Sequence, residues 1–169
     1  FNEHNNISFV GLVGIREDPT DPYVVWAFKS TGEILVINWK DKSLASPLLR
    51  SFKIELPNKE DSVLELVSFD ADSLVVITGK NSPNPHTRSA VEYKLQSLEK
   101  NVLITVKNVI LFCVSNNAAQ LAFVSLSQNS RTTTVFELST KESTTAPFTH
   151  KNAIISALAV SNEGTVAIG

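Results

Sequence analysis

The stretch "PYVVWAFKSTGEILVINWK", Pro22 to Lys40, decides the fold class. Tyr23, Val25 and Ala27 alternate with Val24, Trp26 and Phe28, then Ser30-Thr31-Gly32 turns the chain and Ile34 to Trp39 runs back. β-Branched and aromatic residues suit a pleated surface, and a glycine supplies the positive φ that a tight turn needs. The stretch therefore predicts a β-hairpin, with Gly32 as a structural residue. Just upstream, "EDPTDP" (Glu17–Pro22) mixes Asp with two prolines and reads as a turn joining two strands.

The same pattern continues downstream. "SVLELVSF" (Ser62–Phe69), "SLVVITG" (Ser73–Gly79), "SAVEYKL" (Ser89–Leu95) and "NVLITV" (Asn101–Val106) predict four short strands. "NVILFCVS" (Asn108–Ser115), "QLAFVSLS" (Gln120–Ser127) and "TTTVFEL" (Thr132–Leu138) predict three more. No long stretch shows helical periodicity, and "SLASPLLRS" (Ser43–Ser51) carries Pro47, which breaks a helix interior. The chain is predicted to be all-β.

Short strands at regular spacing are compatible with a sandwich, a barrel or a propeller. The period separates them. Four-strand groups fall at 7–54, 62–106 and 109–148, and a shorter one at 154–169. Their first strands begin at Ile7, Val63, Val109 and Ile154, giving offsets of 56, 46 and 45 residues. Four strands recurring near that interval are the mark of propeller blades.

The last group makes the pattern specific. "THKNAIISALAVSNEGTVAIG" (Thr149–Gly169) sets His150 before an alternating run, a Ser-Asn-Glu-Gly turn and a small-residue strand. This order resembles a repeat of the WD-repeat propellers. The resemblance implies that His150 sits in a buried hydrogen-bond network, that Gly164 shapes a turn, and that Trp39 fills the tryptophan position of the repeat. Lys40 follows Trp39 where the family has Asp, and the middle two groups lack both the His and the Trp-Asp pair. Those groups are expected to depend on apolar packing, with Phe69, Tyr93, Phe112, Phe123 and Phe136 as contributors. His150, Trp39, Gly32 and Gly164 form the expected structural set, with Trp39 buried between blades. The start at Phe1, the absence of methionine and the unfinished last group lead to the expectation that the rest of the propeller lies outside these 169 residues.

The composition excludes several functions. The net charge of −2, with Lys+Arg 15 against Asp+Glu 17, lacks the basic excess of an electrostatic nucleic-acid binder. No apolar run approaches the roughly 20 residues that span a bilayer. Cys113 is the one cysteine and, within "VILFCVSN", reads as a small hydrophobe. His4, His86 and His150 have no metal-ligand spacing with one another or with Cys113. "GLVGIRED" (Gly11–Asp18) lacks the context of a phosphate loop, and "DADS" (Asp70–Ser73) reads as a turn. The chain is expected to be no enzyme, and to take no cofactor, metal or small-molecule substrate.

Its surface offers candidates for contact. "GKNSPNPHTRS" (Gly79–Ser89) is a polar, proline-containing loop, with Lys80, Asn81, Asn84, His86 and Arg88 as candidate interaction residues. "SLSQNSRTTT" and "STKESTTAPFT" are hydroxyl-rich strands, and "NIS" (Asn6–Ser8) fits a glycosylation sequon. The order of a regular hairpin, two degenerate groups with this loop, and an orthodox last group resembles the WD-repeat subunits of the UTP-A (t-UTP) subcomplex of the small-subunit processome, its Nan-type subunit above all. That resemblance implies a nucleolar protein–protein scaffold in ribosome biogenesis, acting in early pre-18S ribosomal RNA processing and linked to ribosomal DNA transcription, with RNA reached mainly through partner proteins and no membrane. Two other readings stay open: a coat subunit or exchange factor of membrane traffic at the endoplasmic reticulum, and a substrate adapter of a ubiquitin ligase.

Overall fold

The computed structural model describes residues 10–40, 47–69, 72–82, 85–97, 99–127, 130–148 and 154–169. Every regular element among them is a strand, as an all-β chain requires. The strands are β1 (Leu12–Glu17), β2 (Val24–Lys29), β3 (Glu33–Asn38), β4 (Leu48–Lys53), β5 (Asp61–Phe69), β6 (Ser73–Lys80) and β7 (His86–Lys94). They continue with β8 (Lys100–Val114), β9 (Gln120–Ser127), β10 (Ser130–Glu137), β11 (Glu142–Phe148), β12 (Leu158–Val160) and β13 (Val166–Ile168). Neighbours in space are neighbours in sequence throughout: β1-β2-β3-β4 form one sheet, β5 to β11 a second, and β12-β13 a short ribbon. Among the described residues no helix is long and apolar enough to cross a membrane.

One strand departs from the sequence reading. The runs Asn101–Val106 and Asn108–Ser115 are a single 15-residue strand, β8. Asn108 adopts a φ of 53°, a left-handed conformation that asparagine tolerates better than most residues, so the strand bends there without ending. The two strands expected there are one kinked strand.

The chain divides into two compact units, one of residues 1–78 with 92–101, the other of 79–91 with 102–169. In the first, β2 and β3 pair from Val24↔Asn38 to Phe28↔Ile34 around Gly32. Gly32 has a φ of 86°, and a Cβ there would lie 2.9 Å from the Ile54 carbonyl oxygen. The turn thus needs glycine for conformation and for space. Lys29 Nζ meets Glu33 Oε2 across it at 2.7 Å.

Alternation gives this sheet two apolar faces. Trp26, Val36 and Arg50 stand opposite one another on one face, as do Phe28, Ile34 and Phe52. Ala27, Leu35 and Ile37 form a buried cluster on the other, edged by Leu12, Val25 and Leu48. The Trp26 and Phe52 rings meet edge-on at 6.2 Å, and the Phe28 ring lies where a Cβ on Gly14 would stand. β5, from the second sheet, contacts this one through Val63 N–H donating to Ser30 O at 2.9 Å and Arg16 bridging Glu65 at 2.8 Å. Tyr93 is fully buried, and its hydroxyl donates to Glu55 O at 2.8 Å.

In the second unit, β9 pairs with β10 from Ser127↔Ser130 to Gln120↔Glu137, and β10 with β11 from Arg131↔Phe148 to Glu137↔Glu142. Leu121, Phe123 and Phe136 are buried along this ladder. Of the aromatics expected to pack, Tyr93, Phe123 and Phe136 are core, Phe112 is half-buried, and the Phe69 side chain lies outside the described residues. Hydroxyl pairs cross the strands, Ser125 with Thr132 at 2.8 Å and Thr134 with Thr145 at 3.0 Å.

Candidate interaction surfaces

The turn from β1 to β2 is organised by one carboxylate. Asp18 Oδ1 accepts from Thr20 N at 2.8 Å, Thr20 Oγ1 at 2.6 Å and Asp21 N at 3.2 Å, while Oδ2 accepts from Trp26 Nε1 at 2.7 Å. Burial pushes the Asp18 carboxyl up, but the bonds from Thr20, Trp26 and Asp21 together outweigh it and hold the group below its ordinary value of 3.8. The aspartate ties an aromatic interior to a surface turn. The Asp-Pro-Thr-Asp turn was legible in sequence, whereas the partnership with Trp26 depends on strand register and was not.

This tie corrects the expectation for Trp39. The buried tryptophan of the sheet is Trp26, 6% exposed, and Trp39 is 58% exposed. Trp39 lies one residue beyond β3, where its N–H donates to Tyr23 O at 3.0 Å as the backbone leaves the ladder. Beside it, Lys40 Nζ sits 4.5 Å over the Tyr23 ring. A lysine where the repeat pattern has Asp is thus occupied by a cation–π contact at the surface.

The expected interaction loop is shorter than its sequence suggests. Lys80 ends β6, and His86 and Arg88 belong to β7. Lys80 and Asn81 are exposed, and Ser82 Oγ lies 2.7 Å from His86 Nε2, closing the loop on itself. Arg88 is no surface contact: it is 5% exposed and donates through Nη1 to Lys80 O at 3.0 Å and Thr87 O at 3.3 Å. Gly79 makes room for it, since a Cβ there would lie 2.8 Å from that Nη1. The guanidinium folds back along its own hairpin because the facing residue has no side chain. Asn84 and His150 lie outside the described residues, as do His4 and the Asn6–Ser8 sequon.

Two further turns follow one plan. Ser115 Oγ accepts from Gln120 N at 3.0 Å, and Ser161 Oγ accepts from Thr165 N at 3.1 Å and Glu163 N at 3.2 Å. Gly164 has a φ of 81° in the turn between β12 and β13. Asn117 N–H donates to Asn162 Oδ1 at 3.3 Å, joining the two turns. Cys113 is half-buried, and burial pushes its thiol up, away from the thiolate a nucleophile needs. Among the described residues no group of three His, Cys, Asp or Glu side chains could hold a metal ion.

No family model and no curated protein sequence matches the chain. Solved structures match its fold. The Dos1 propeller aligns with a TM-score of 0.61 at 10% identity, over 93% of this chain and 42% of that one. The C-terminal WD40 domain of Sif2 aligns with a TM-score of 0.57 at 11% identity, over 96% of this chain and 44% of that one. The fold is a β-propeller. A luciferin-regenerating enzyme aligns as well, with a TM-score of 0.54 at 13% identity over 93% of this chain and 54% of that one. The chain spans about half the length of the structures it matches. At such identity the likeness extends to the fold, which serves enzymes and WD40 domains alike.

Proposed function

We propose that this chain is part of a non-catalytic WD-repeat scaffold that holds other proteins in a large assembly, and that the assembly is the small-subunit processome. The observation that carries the scaffold reading is the WD40-type propeller fold, built from rigid sheets whose short turns are locked by side-chain caps at Asp18, Ser115 and Ser161. Rigid strands that present ordered turns suit docking, as binding loops on other β-scaffolds do. The processome, the nucleolar location and a role in pre-18S ribosomal RNA processing rest on the sequence resemblance to the UTP-A subunits. The Lys80, Asn81 and His86 segment and the Tyr23–Trp39 surface are contact regions in this reading. The remaining blades of the ring lie in this proposal outside the 169 residues, in keeping with the 42–44% of the matched propellers that the chain covers.

The test is affinity purification of the full-length protein from its native cells, identifying the bound proteins and RNAs. Recovery of processome subunits with precursor ribosomal RNA is the expected result. Recovery of vesicle-coat components or a small GTPase overturns the assignment to ribosome biogenesis and moves the scaffold to membrane traffic. Recovery of ubiquitin-ligase subunits overturns it in favour of a substrate adapter.

A further inference from the structure

The second unit holds an acidic groove that the readings above leave unused. Gln120, Glu137 and Glu142 stand in one row across β9, β10 and β11, each opposite the next. Val135 and Thr144 stand opposite each other in the adjoining row of the same face. The turn carrying Glu163 closes over Gln120, and together these residues line a cavity of about 300 Å³. Among the described residues no Lys or Arg lines it.

Two features of the groove want a cation. Like charges placed directly opposite on antiparallel strands repel, and the Glu137–Glu142 pair is such an arrangement. Glu137 is steadied by Ser139 Oγ at 2.9 Å and Thr140 Oγ1 at 3.2 Å, but both donors are neutral. Independently, Gln120 is 7% exposed, and its side-chain amide has no hydrogen-bond partner among the described residues. The amide lines the cavity, so a donor or acceptor entering the groove can reach it.

We propose that the groove receives an arginine side chain of a protein partner. A guanidinium offers five N–H donors in a plane, enough for carboxylates on two sides and the amide oxygen of Gln120 at once. A lysine ammonium concentrates its charge at one point and reaches fewer of them. Val135 provides an apolar wall for the methylene stem, as long cationic side chains prefer. The side chains do not cluster as a metal site would. The inference names a docking chemistry for the scaffold and rests on that reading.

The test uses the full-length protein and a fluorescent, end-capped Gly-Arg-Gly-Arg-Gly peptide, with its citrulline and lysine counterparts. Binding of the arginine peptide, weaker binding of the lysine peptide and none of the citrulline peptide are expected. Glu142→Gln with Glu163→Gln should weaken the arginine peptide by about tenfold, the weight of a charge-assisted hydrogen bond. Both side chains are exposed and Glu142→Gln relieves the repulsion from Glu137, so the thermal midpoint should not fall. Equal affinity for the double variant, equal affinity for citrulline, or no binding at all overturns the groove. Processome subunits recovered with a variant that still binds the peptide sink the groove alone, and charge-dependent peptide binding without processome subunits sinks the assembly assignment alone.

Discussion

The β1–β4 sheet and the β9–β11 ladder use the same antiparallel pairing but hold themselves together by different means. In the first, β2 and β3 bury residues of both parities: Trp26, Ala27, Phe28, Ile34, Leu35 and Val36 are all buried. Both faces are largely apolar, with charged groups at Arg50, at the Lys29–Glu33 pair beside Gly32, at the Arg16–Glu65 bridge and at the turn where Asp18 takes the Trp26 indole. In the second, β11 is exposed through most of its length, and hydroxyls bridge strands where the first sheet has aliphatic contacts. Apolar packing is unforgiving of lost volume, whereas hydroxyl pairs at a half-wet edge can exchange partners with water. The first sheet is therefore the rigid anchor, and the flank of the second is the region where sequence can change.

The strongest challenge to that contrast is truncation of the anchor. Phe28→Ala, at 2% exposure and with Gly14 shaped around its ring, should cost about 3–5 kcal/mol, measured as a fall in the urea midpoint. Thr134→Val, in the hydroxyl flank at 7% exposure, should cost about 1 kcal/mol. Similar losses from the two would erase the distinction.

Gly32→Ala comes next. It forces a Cβ into the left-handed region and against the Ile54 carbonyl oxygen, and about 2 kcal/mol of destabilisation is expected from calorimetry. Gly164→Ala meets nothing closer than 3.6 Å, so its cost is the conformational one alone, about 1 kcal/mol. The difference between the two measures how much the hairpin turn is also a packing site.

The two tryptophans sharpen the comparison further. Trp26→Phe removes the donor to Asp18 Oδ2 and should cost about 1–2 kcal/mol. Trp39→Phe, at 58% exposure, should stay within about 0.5 kcal/mol in the same denaturation assay. An equal loss at both positions would restore the buried role that the repeat pattern assigns to Trp39.

That reversal shows what sequence can carry here. The hairpin around Gly32 was legible because alternation and a turn glycine are local signals. The aromatic cores at Tyr93, Phe123 and Phe136 were legible because strand periodicity selects them. Trp39 misled because a family position was carried over to a residue just past the end of its strand, while the interior place was already held by Trp26. Arg88 misled for a related reason: a charged residue beside a polar loop reads as surface, and only the strand pairing reveals that Gly79 opens an interior slot for it. The acidic groove was invisible because Gln120, Glu137 and Glu163 are far apart in sequence and share no motif. Local chemistry is written in the sequence, while cross-strand chemistry waits for the register.

The smallest expected effect isolates the polar tie itself. Asp18 has a carboxyl held below its ordinary 3.8 by the bonds from Thr20, Trp26 and Asp21, against the opposing influence of burial. The folded state therefore binds a proton less readily than the unfolded chain. The tie's contribution is fully present above the unfolded value near 3.8 and is lost as pH falls through the lower folded value. Because the carboxylate is mostly solvated, screening keeps that contribution small. Asp18→Asn retains an oxygen acceptor for the indole but cannot titrate, so its stability should fall less steeply than that of the parent chain between about pH 5 and pH 2. Urea midpoints for the two proteins across that window measure the difference. Parallel curves would mean that the turn is held by backbone geometry, with the carboxylate along for shape alone, and the contrast between the two regions would then rest on packing without any polar component.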